Sequence, residues 1–112
     1  MVRMIKKITK KVLDFIEVHE VDSFGNTKLH NAVRAGNVSL VCELLEKGAD
    51  VNVQNRWGNT ALHMAAEYGL YRISKTLSSV LLNAGADPYI KNVQGVTPLD
   101  LGLRYAHLSH TA

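Results

Sequence analysis

Apolar side chains recur at helical intervals in three stretches of the chain. One stripe consists of Ile5, Ile8, Val12, Phe15 and Ile16; the others consist of Leu40, Val41, Leu44 and Leu45, and of Ile73, Leu77, Val80 and Leu81. Spacings of three and four residues place such side chains on one face of a helix. The pattern therefore predicts an amphipathic helix over residues 2–19 and further helices over about residues 39–47 and 71–83.

The segments around these stripes repeat along the chain. Residues 22–36 read DSFGNTKLHNAVRAG, and residues 55–69, which follow at a spacing of 33, read NRWGNTALHMAAEYG. Residues 43–55 (ELLEKGADVNVQN) correspond in the same way to residues 80–92 (VLLNAGADPYIKN), and a third copy begins at Asn92 with NVQGVTPLDLGLRYA. A fixed period of this length indicates stacked copies of one structural unit.

Three residue types predict where the short helices of each copy begin and end. Glycines at positions 25, 58 and 95 stand in polar segments where a tight turn needs a positive φ. Threonines at positions 27, 60 and 97 suit helix N-caps, and Pro98 suits a first helical position. Glycines at positions 36, 69, 48 and 85 end the helices that follow.

The second copy carries an insertion of four residues between Gly69 and Gly85. Four residues are close to one helical turn, so the apolar stripe survives and the helix lengthens. We expect the extra turn to protrude around Thr76–Ser79. Tolerated variation in length and a binding feature are the two alternative explanations for it.

The repeated unit resembles the ankyrin repeat over about residues 22–106. Its T-P-L-H-x-A signature occurs here as TKLHNA, TALHMA and TPLDLG. Lys28 and Ala61 replace the proline of that signature, and Asp100 and Gly102 replace its histidine and alanine in the last copy. The resemblance implies an all-α ankyrin-repeat solenoid, built of helix-turn-helix repeats with short hairpin loops, that binds a partner protein.

The chain divides into four parts on this basis. We assign residues 1–21 to a basic amphipathic helix that caps the stack, residues 22–54 to repeat 1, residues 55–91 to repeat 2 with its insertion, and residues 92–112 to a partial C-terminal repeat. With two complete repeats the stack is short, since about three are needed for stability. Dimerisation through an exposed stack edge would compensate.

Positive charge is concentrated at the N-terminus. Five of the 13 basic residues and no acidic residue lie in the first eleven positions, so the rest of the chain holds eight basic and ten acidic side chains. The excess of acidic side chains in this part of the chain disfavours nucleic-acid binding, because nucleic acids bind to basic surfaces. Three roles remain open for the N-terminal helix: a cap on repeat 1, a membrane-surface anchor through residues 1–11, and an arm that contacts nucleic acid.

No residue pattern indicates catalysis, a cofactor or a metal. His30 and His63 occupy the same repeat position, where we expect each imidazole to bond to its turn and lock adjacent repeats. His107 and His110 are two ligands where a structural zinc site needs four. Cys42, the single cysteine, lies among apolar residues and predicts a small buried thiol. The chain lacks a secretory signal, which favours the cytoplasm, although export as an effector stays open.

The resemblance also implies where a partner binds, namely at hairpin tips and on the exposed side of the inner helices. Repeat geometry aligns these positions into one continuous strip. The predicted partner-binding residues are Phe24, Asn26, Arg34, Arg56, Trp57, Asn59, Glu67, Tyr68, Gln94, Arg104 and Tyr105. Aromatic and arginine side chains dominate binding energy at many interfaces. The competing explanation for Phe24 and Trp57 is that they fold onto neighbouring hairpins and stabilise the stack.

Overall fold

A computed structural model describes residues 2–68 and 71–102, which form successive helices joined by hairpin loops. The helices are α1 (Val2–His19), α2 (Lys28–Arg34), α3 (Val38–Glu46), α4 (Ala61–Tyr68) and α5 (Tyr71–Asn83), followed by helical residues 98–102. The bounds predicted for α1 and α5 are confirmed, and α3 begins and ends one residue earlier than expected. The described fold is all-α, as the repeat pattern indicates.

Capping side chains explain where the short helices begin. Thr27 Oγ1 accepts a bond from the His30 amide, and the His30 ring accepts one from the Thr27 amide, so the two residues form a capping box. Thr97 Oγ1 accepts from the Asp100 amide at 3.1 Å, and Asp100 returns the bond through its carboxylate. The predicted N-caps are thus confirmed at both positions.

The hairpin turns are equivalent in all three copies. Gly25, Gly58 and Gly95 have φ angles of 77°, 76° and 76°. Each turn is closed by an amide that donates to the carbonyl four residues later, at 2.9 Å from Asp22 to Asn26 and again from Asn55 to Asn59. The three glycines therefore begin successive layers of one stack, as the repeat predicts.

The hydrophobic core lies between the helix pairs of repeats 1 and 2. Residues Val33, Val41, Leu44, Ala65, Leu77 and Leu81 are inaccessible to solvent there. Cys42 is half-buried, so the prediction of a buried thiol was only partly right. The expected protrusion at Thr76–Ser79 was wrong, because these residues continue α5 and Leu77 packs into the core. The insertion lengthens the helix within the packed layer instead.

Helix α1 contacts repeat 1 through its polar side and its last turn. Lys47 Nζ lies 3.0 Å from Glu17 Oε2 and 3.9 Å from Asp14 Oδ1, and Val18 joins the core. The described part of the apolar stripe of α1 does not face the repeat. Val12, Phe15 and Ile16 are exposed, because the ion pairs turn the opposite side of α1 toward the repeat.

Candidate binding groove

Two buried histidines join each layer to the next. His30 Nε2 bonds to the Asn59 carbonyl and His63 Nε2 to the Val96 carbonyl, both at 2.9 Å. Each Nδ1 accepts a bond from the backbone amide of its threonine cap, Thr27 or Thr60. Since Nδ1 is an acceptor, the proton of the neutral ring is on Nε2, which donates to the carbonyl. The predicted role of both histidines in locking adjacent repeats is confirmed.

Burial favours the neutral form of these rings. It lowers the pKa of His30 from its ordinary value of 6.5, despite the opposing bond to the Asn59 carbonyl. The pKa of His63 is lowered for the same reason, against the Val96 carbonyl. A proton on Nδ1 would also face the amide that this nitrogen accepts from. At neutral pH the two rings therefore stay uncharged and keep their hydrogen bonds between the layers.

An asparagine ladder runs beside the histidines under the hairpin tips. Asn55 Nδ2 donates to Asn26 Oδ1 at 2.8 Å, and Asn92 Nδ2 donates to Asn59 Oδ1 at 3.0 Å. The Oδ1 of Asn55 meanwhile accepts two amides of its own turn. Asn26 was predicted to contact a partner from an exposed tip. It is buried, because its side chain is a partner of the next repeat.

The ladder chemistry changes at both ends of the described stack. Asp22 accepts the turn amides as Asn55 does, but a carboxylate has no Nδ2 with which to reach an earlier layer. Val96 stands where Asn26 and Asn59 offer an acceptor, and Asp100 stands where the histidines carry Nε2. The same two bonds are therefore made only between the three copies present.

Phe24 and Trp57 stack on each other across adjacent hairpin tips. Their ring centroids lie 5.6 Å apart with planes inclined by 24°, and the rings remain 48% and 45% exposed. Backbone bonds from Arg56 to Phe24 and from Val93 to Trp57 tie the tips together. Packing on the neighbouring hairpin, the second explanation for the aromatic pair, is therefore observed, and the binding role stays a prediction. The rings stabilise the junction and still offer about half of their surface.

A groove of about 340 Å³ lies beside the hairpin tips and the inner helices of the repeats, α2 and α4. Its lining combines amide, charged and apolar groups: Asn26, Arg34, Asn55, Trp57, Asn59, Met64, Glu67, Asn92, Val93 and Gln94. Six of the predicted residues are among them. Arg34 and Glu67 are exposed at equivalent positions of α2 and α4, so a positive and a negative charge lie side by side along the helical side of the groove.

The remaining predicted residues fall outside the lining or outside the description. Phe24 and Arg56 are exposed at the tips, next to Trp57. The side chain of Tyr68 and the whole of Arg104 and Tyr105 lie outside the described residues. Sequence reasoning missed Met64, Asn55 and Asn92 as lining groups. Asn55 and Asn92 open their copies at matching positions, which is the signal that would have found them.

Metal-binding groups and membrane-spanning helices are absent from the described part of the chain. Residues 2–68 and 71–102 hold no group of three or more histidine, cysteine or carboxylate side chains placed to bind a metal. None of the helices described is both long and apolar enough to span a membrane. The described residues form a groove bordered by half-exposed aromatic rings.

Three relatives show how widely this unit occurs. Inversin of Gallus gallus is 42% identical over 84 residues, which cover 75% of this chain and 7% of inversin. The 2-5A-dependent ribonuclease of Mus musculus is 42% identical over 74 residues, or 65% of this chain and 10% of that protein. The nuclear factor NF-kappa-B p105 subunit of Gallus gallus is 37% identical over 102 residues, or 72% and 10%. This chain thus spans a tenth or less of each of these proteins.

The similarity extends along nearly the whole chain. A family model described as ankyrin repeats in three copies matches residues 3–92 and 29–110. One of the relatives is named a ribonuclease, so the repeats alone do not decide whether a protein that contains them is an enzyme. The equivalent turns, the capping histidines and this match together establish that the chain belongs to the ankyrin-repeat family, whose repeats are protein-interaction modules.

Proposed function

We propose that the chain binds a partner protein in the groove between its hairpin tips and inner helices, with Trp57 as the main anchor. The half-exposed pair of Phe24 and Trp57 is the observation that carries this proposal. Large aromatic rings lose contact with water when a partner covers them, and they contribute strongly to binding energy. Trp57 also lines the groove, so a partner in the groove contacts the aromatic pair at the same time.

The groove is held in shape before any partner arrives. Histidine and asparagine bonds fix the carbonyls and amides beneath the tips, as at His63 and Asn92. The described residues contain no buried side-chain nitrogen or oxygen that lacks a hydrogen bond. A preorganised surface loses little conformational entropy on binding, which increases affinity. This supports recognition of a folded or extended segment by a rigid wall.

The charges along the groove favour a partner segment that carries both signs. Arg34 Nη2 donates to Asn31 Oδ1 at 3.1 Å, which restrains the guanidinium on the exposed side of α2. Glu67 occupies the equivalent place on α4, and Gln94 offers an amide at the third tip. A partner that places an acid near Arg34 and a base near Glu67 complements this order. Such rim charges set specificity and association rate.

Affinity capture with three matched variants tests the proposal. Trp57→Ala is expected to abolish or strongly reduce recovery of the partner and to leave helix content unchanged by circular dichroism. Truncation of a hot-spot aromatic residue costs about 2 kcal/mol of binding energy or more. Phe24→Ala is expected to act in the same direction with a smaller effect. Tyr89→Ala removes an exposed aromatic ring (69% accessible) that does not line the groove, and serves as the control.

The outcomes separate binding from folding. Loss of the aromatic pair is expected to cost about 1 kcal/mol of stability, which a urea titration measures beside the capture experiment. If Trp57→Ala instead unfolds the domain, the ring belongs to the core and the proposal fails. Equal recovery by the wild type and by all three variants would also reject the groove as the binding site. Once the partner is isolated, Arg34→Glu and Glu67→Arg locate its charges.

A further inference from the structure

Helix α1 presents an apolar surface to solvent. Val12, Leu13, Phe15 and Ile16 are 48%, 58%, 62% and 47% exposed. They form a contiguous patch on a helix that contributes only Val18 to the core cluster of the described residues. Contiguous exposed patches of large apolar side chains mark surfaces that meet another apolar phase or molecule.

The attachment of α1 to the repeats fixes which way this patch faces. Asp14 and Glu17 pair with Lys47, and Glu17 lies 3.8 Å from Lys28 as well. At 100° per residue, these acids and Val18 project on the side of the helix opposite to Val12 and Ile16. The patch therefore faces away from the repeat body, and the body does not obstruct access to it.

The width of the patch discriminates between possible occupants. Leu13 and Phe15 flank it and are separated by roughly 160° around the helix axis. A two-helix seam buries a narrow stripe, so one partner helix cannot cover both flanks at once. A flat apolar boundary contacts the whole half of the helix together. The geometry thus favours a planar surface over a second copy of α1.

The charges on α1 favour an anionic surface. The first eleven residues contain five basic side chains and no acid. Lys10 and Lys11 are exposed in the described part, whereas Asp14 and Glu17 are engaged by lysines of the repeat body. Glu20, just beyond the helix, is the exposed exception. An amphipathic helix with an apolar half and a lysine-rich polar half is the type that lies in the interface of anionic bilayers.

We propose that α1 binds the surface of anionic lipid bilayers, with Phe15, Leu13, Val12 and Ile16 in the interface and the lysines at the headgroups. The repeats stay in water on the opposite side of the helix. This function is independent of the groove, because none of the α1 side chains that the structure describes lines it. The protein would in this way hold a bound partner close to a membrane.

Vesicle sedimentation with the full chain tests the proposal. The probes are phosphatidylcholine vesicles with and without phosphatidylserine, at low and at high salt. Binding is expected only with phosphatidylserine and is expected to weaken as salt rises. The variant Val12→Ser/Phe15→Ser is expected to lower the partition coefficient about tenfold or more, since two apolar side chains no longer enter the interface. Lys10→Glu/Lys11→Glu is expected to lower it by a similar factor.

Two controls match these variants away from α1. Tyr89→Ser removes an equally exposed aromatic ring, and Lys75→Glu/Lys91→Glu makes the same change of net charge on exposed lysines of the repeat body. Both are expected to bind vesicles like the wild type. Because the altered α1 side chains are exposed, all variants are expected to remain folded, which circular dichroism checks.

Each other outcome overturns the proposal. Equal binding to vesicles with and without phosphatidylserine would show that the lysines play no role. If the Lys75/Lys91 control loses as much vesicle binding as Lys10→Glu/Lys11→Glu, the effect depends on net charge and not on α1. Absence of vesicle binding, with a dimer in analytical ultracentrifugation that Val12→Ser/Phe15→Ser dissociates, would show a second copy on the patch. Absence of binding by a monomer would leave no role at membranes. None of these results affects the Trp57 capture experiment.

Discussion

The repeat stack and helix α1 bury opposite sides of amphipathic elements. In the stack, apolar side chains such as Leu44 and Leu77 lie inside, and buried polar groups such as His63 are bonded between layers. In α1, the polar side meets the body through Glu17, and the apolar half remains outside. An apolar stripe shows that a helix needs an apolar environment. It does not say whether the same chain provides it.

The difference has a local cause. A repeat finds the complement of its own groups in the next copy, as His30 finds the Asn59 carbonyl 29 residues further along. Helix α1 does not share the repeat pattern, and its acidic side chains form ion pairs with Lys28 and Lys47 of repeat 1. The two lysines attract acidic side chains and not apolar ones, so the acidic side of α1 faces the repeat.

The same substitution in the two regions is expected to give the largest contrast. Leu77→Ala leaves a cavity at a residue with no solvent exposure and is expected to cost about 2–5 kcal/mol of unfolding free energy. Leu13→Ala, at an exposed position of α1, is expected to change it by less than about 0.5 kcal/mol. Urea titrations of both variants measure the two values. A large loss for Leu13→Ala would mean that α1 is packed and would erase the contrast.

Within the stack, two glycines separate backbone strain from close approach. Gly58 and Gly95 share a φ of 76°, but a Cβ at Gly58 would lie 2.9 Å from Asn92 Cα, whereas nothing lies within 4 Å of one at Gly95. Gly95→Ala is expected to cost about 1–2 kcal/mol from φ alone. Gly58→Ala is expected to cost about 2–4 kcal/mol, since the next hairpin must also move. Equal losses in urea titrations would show that layer contact at the tips contributes nothing.

The smallest expected effect is a difference in acid sensitivity between the regions. The lowered pKa values of His30 and His63 mean that the unfolded chain takes up protons first, so stack stability is constant above 6.5 and falls as pH drops below it. The Lys47 bond lowers the pKa of Glu17, so the attachment of α1 persists until pH falls below 4.5. Urea midpoints by Trp57 fluorescence follow the stack, and NMR shifts of the Val18 methyl groups follow α1.

One result would contradict this separation. If the Val18 signals shift in parallel with the loss of stack stability just below pH 6.5, the attachment of α1 depends on the histidines rather than on Glu17. Conversely, a stack stability that does not change between neutral pH and the range in which Glu17 titrates would show that the buried rings accept protons without cost. Either outcome would remove the link between burial and the lowered pKa values.

Much of the fold was predictable because its signals are local and repeated. Gly25, Gly58 and Gly95 predict turns since few other residues adopt a positive φ, and Thr27 and Thr60 predict caps since their hydroxyls accept nearby amides. The candidate site was predicted less well. Asn26 occupies a tip in the repeat pattern, but whether its amide faces a partner or the next layer depends on a residue 29 positions away.

From the sequence alone, the layers, the helix boundaries and the equivalent positions of His30 and His63 in this ankyrin-repeat chain could be predicted, because each depends on residues a few positions apart and recurs along the chain. The tertiary contacts were needed to show that Asn26 is buried, that Phe24 stacks on Trp57 and that the described apolar side chains of α1 face outward. These features depend on which groups of one layer meet those of the next. A periodic pattern names the faces of an element, and the packing of its neighbours selects which face is covered.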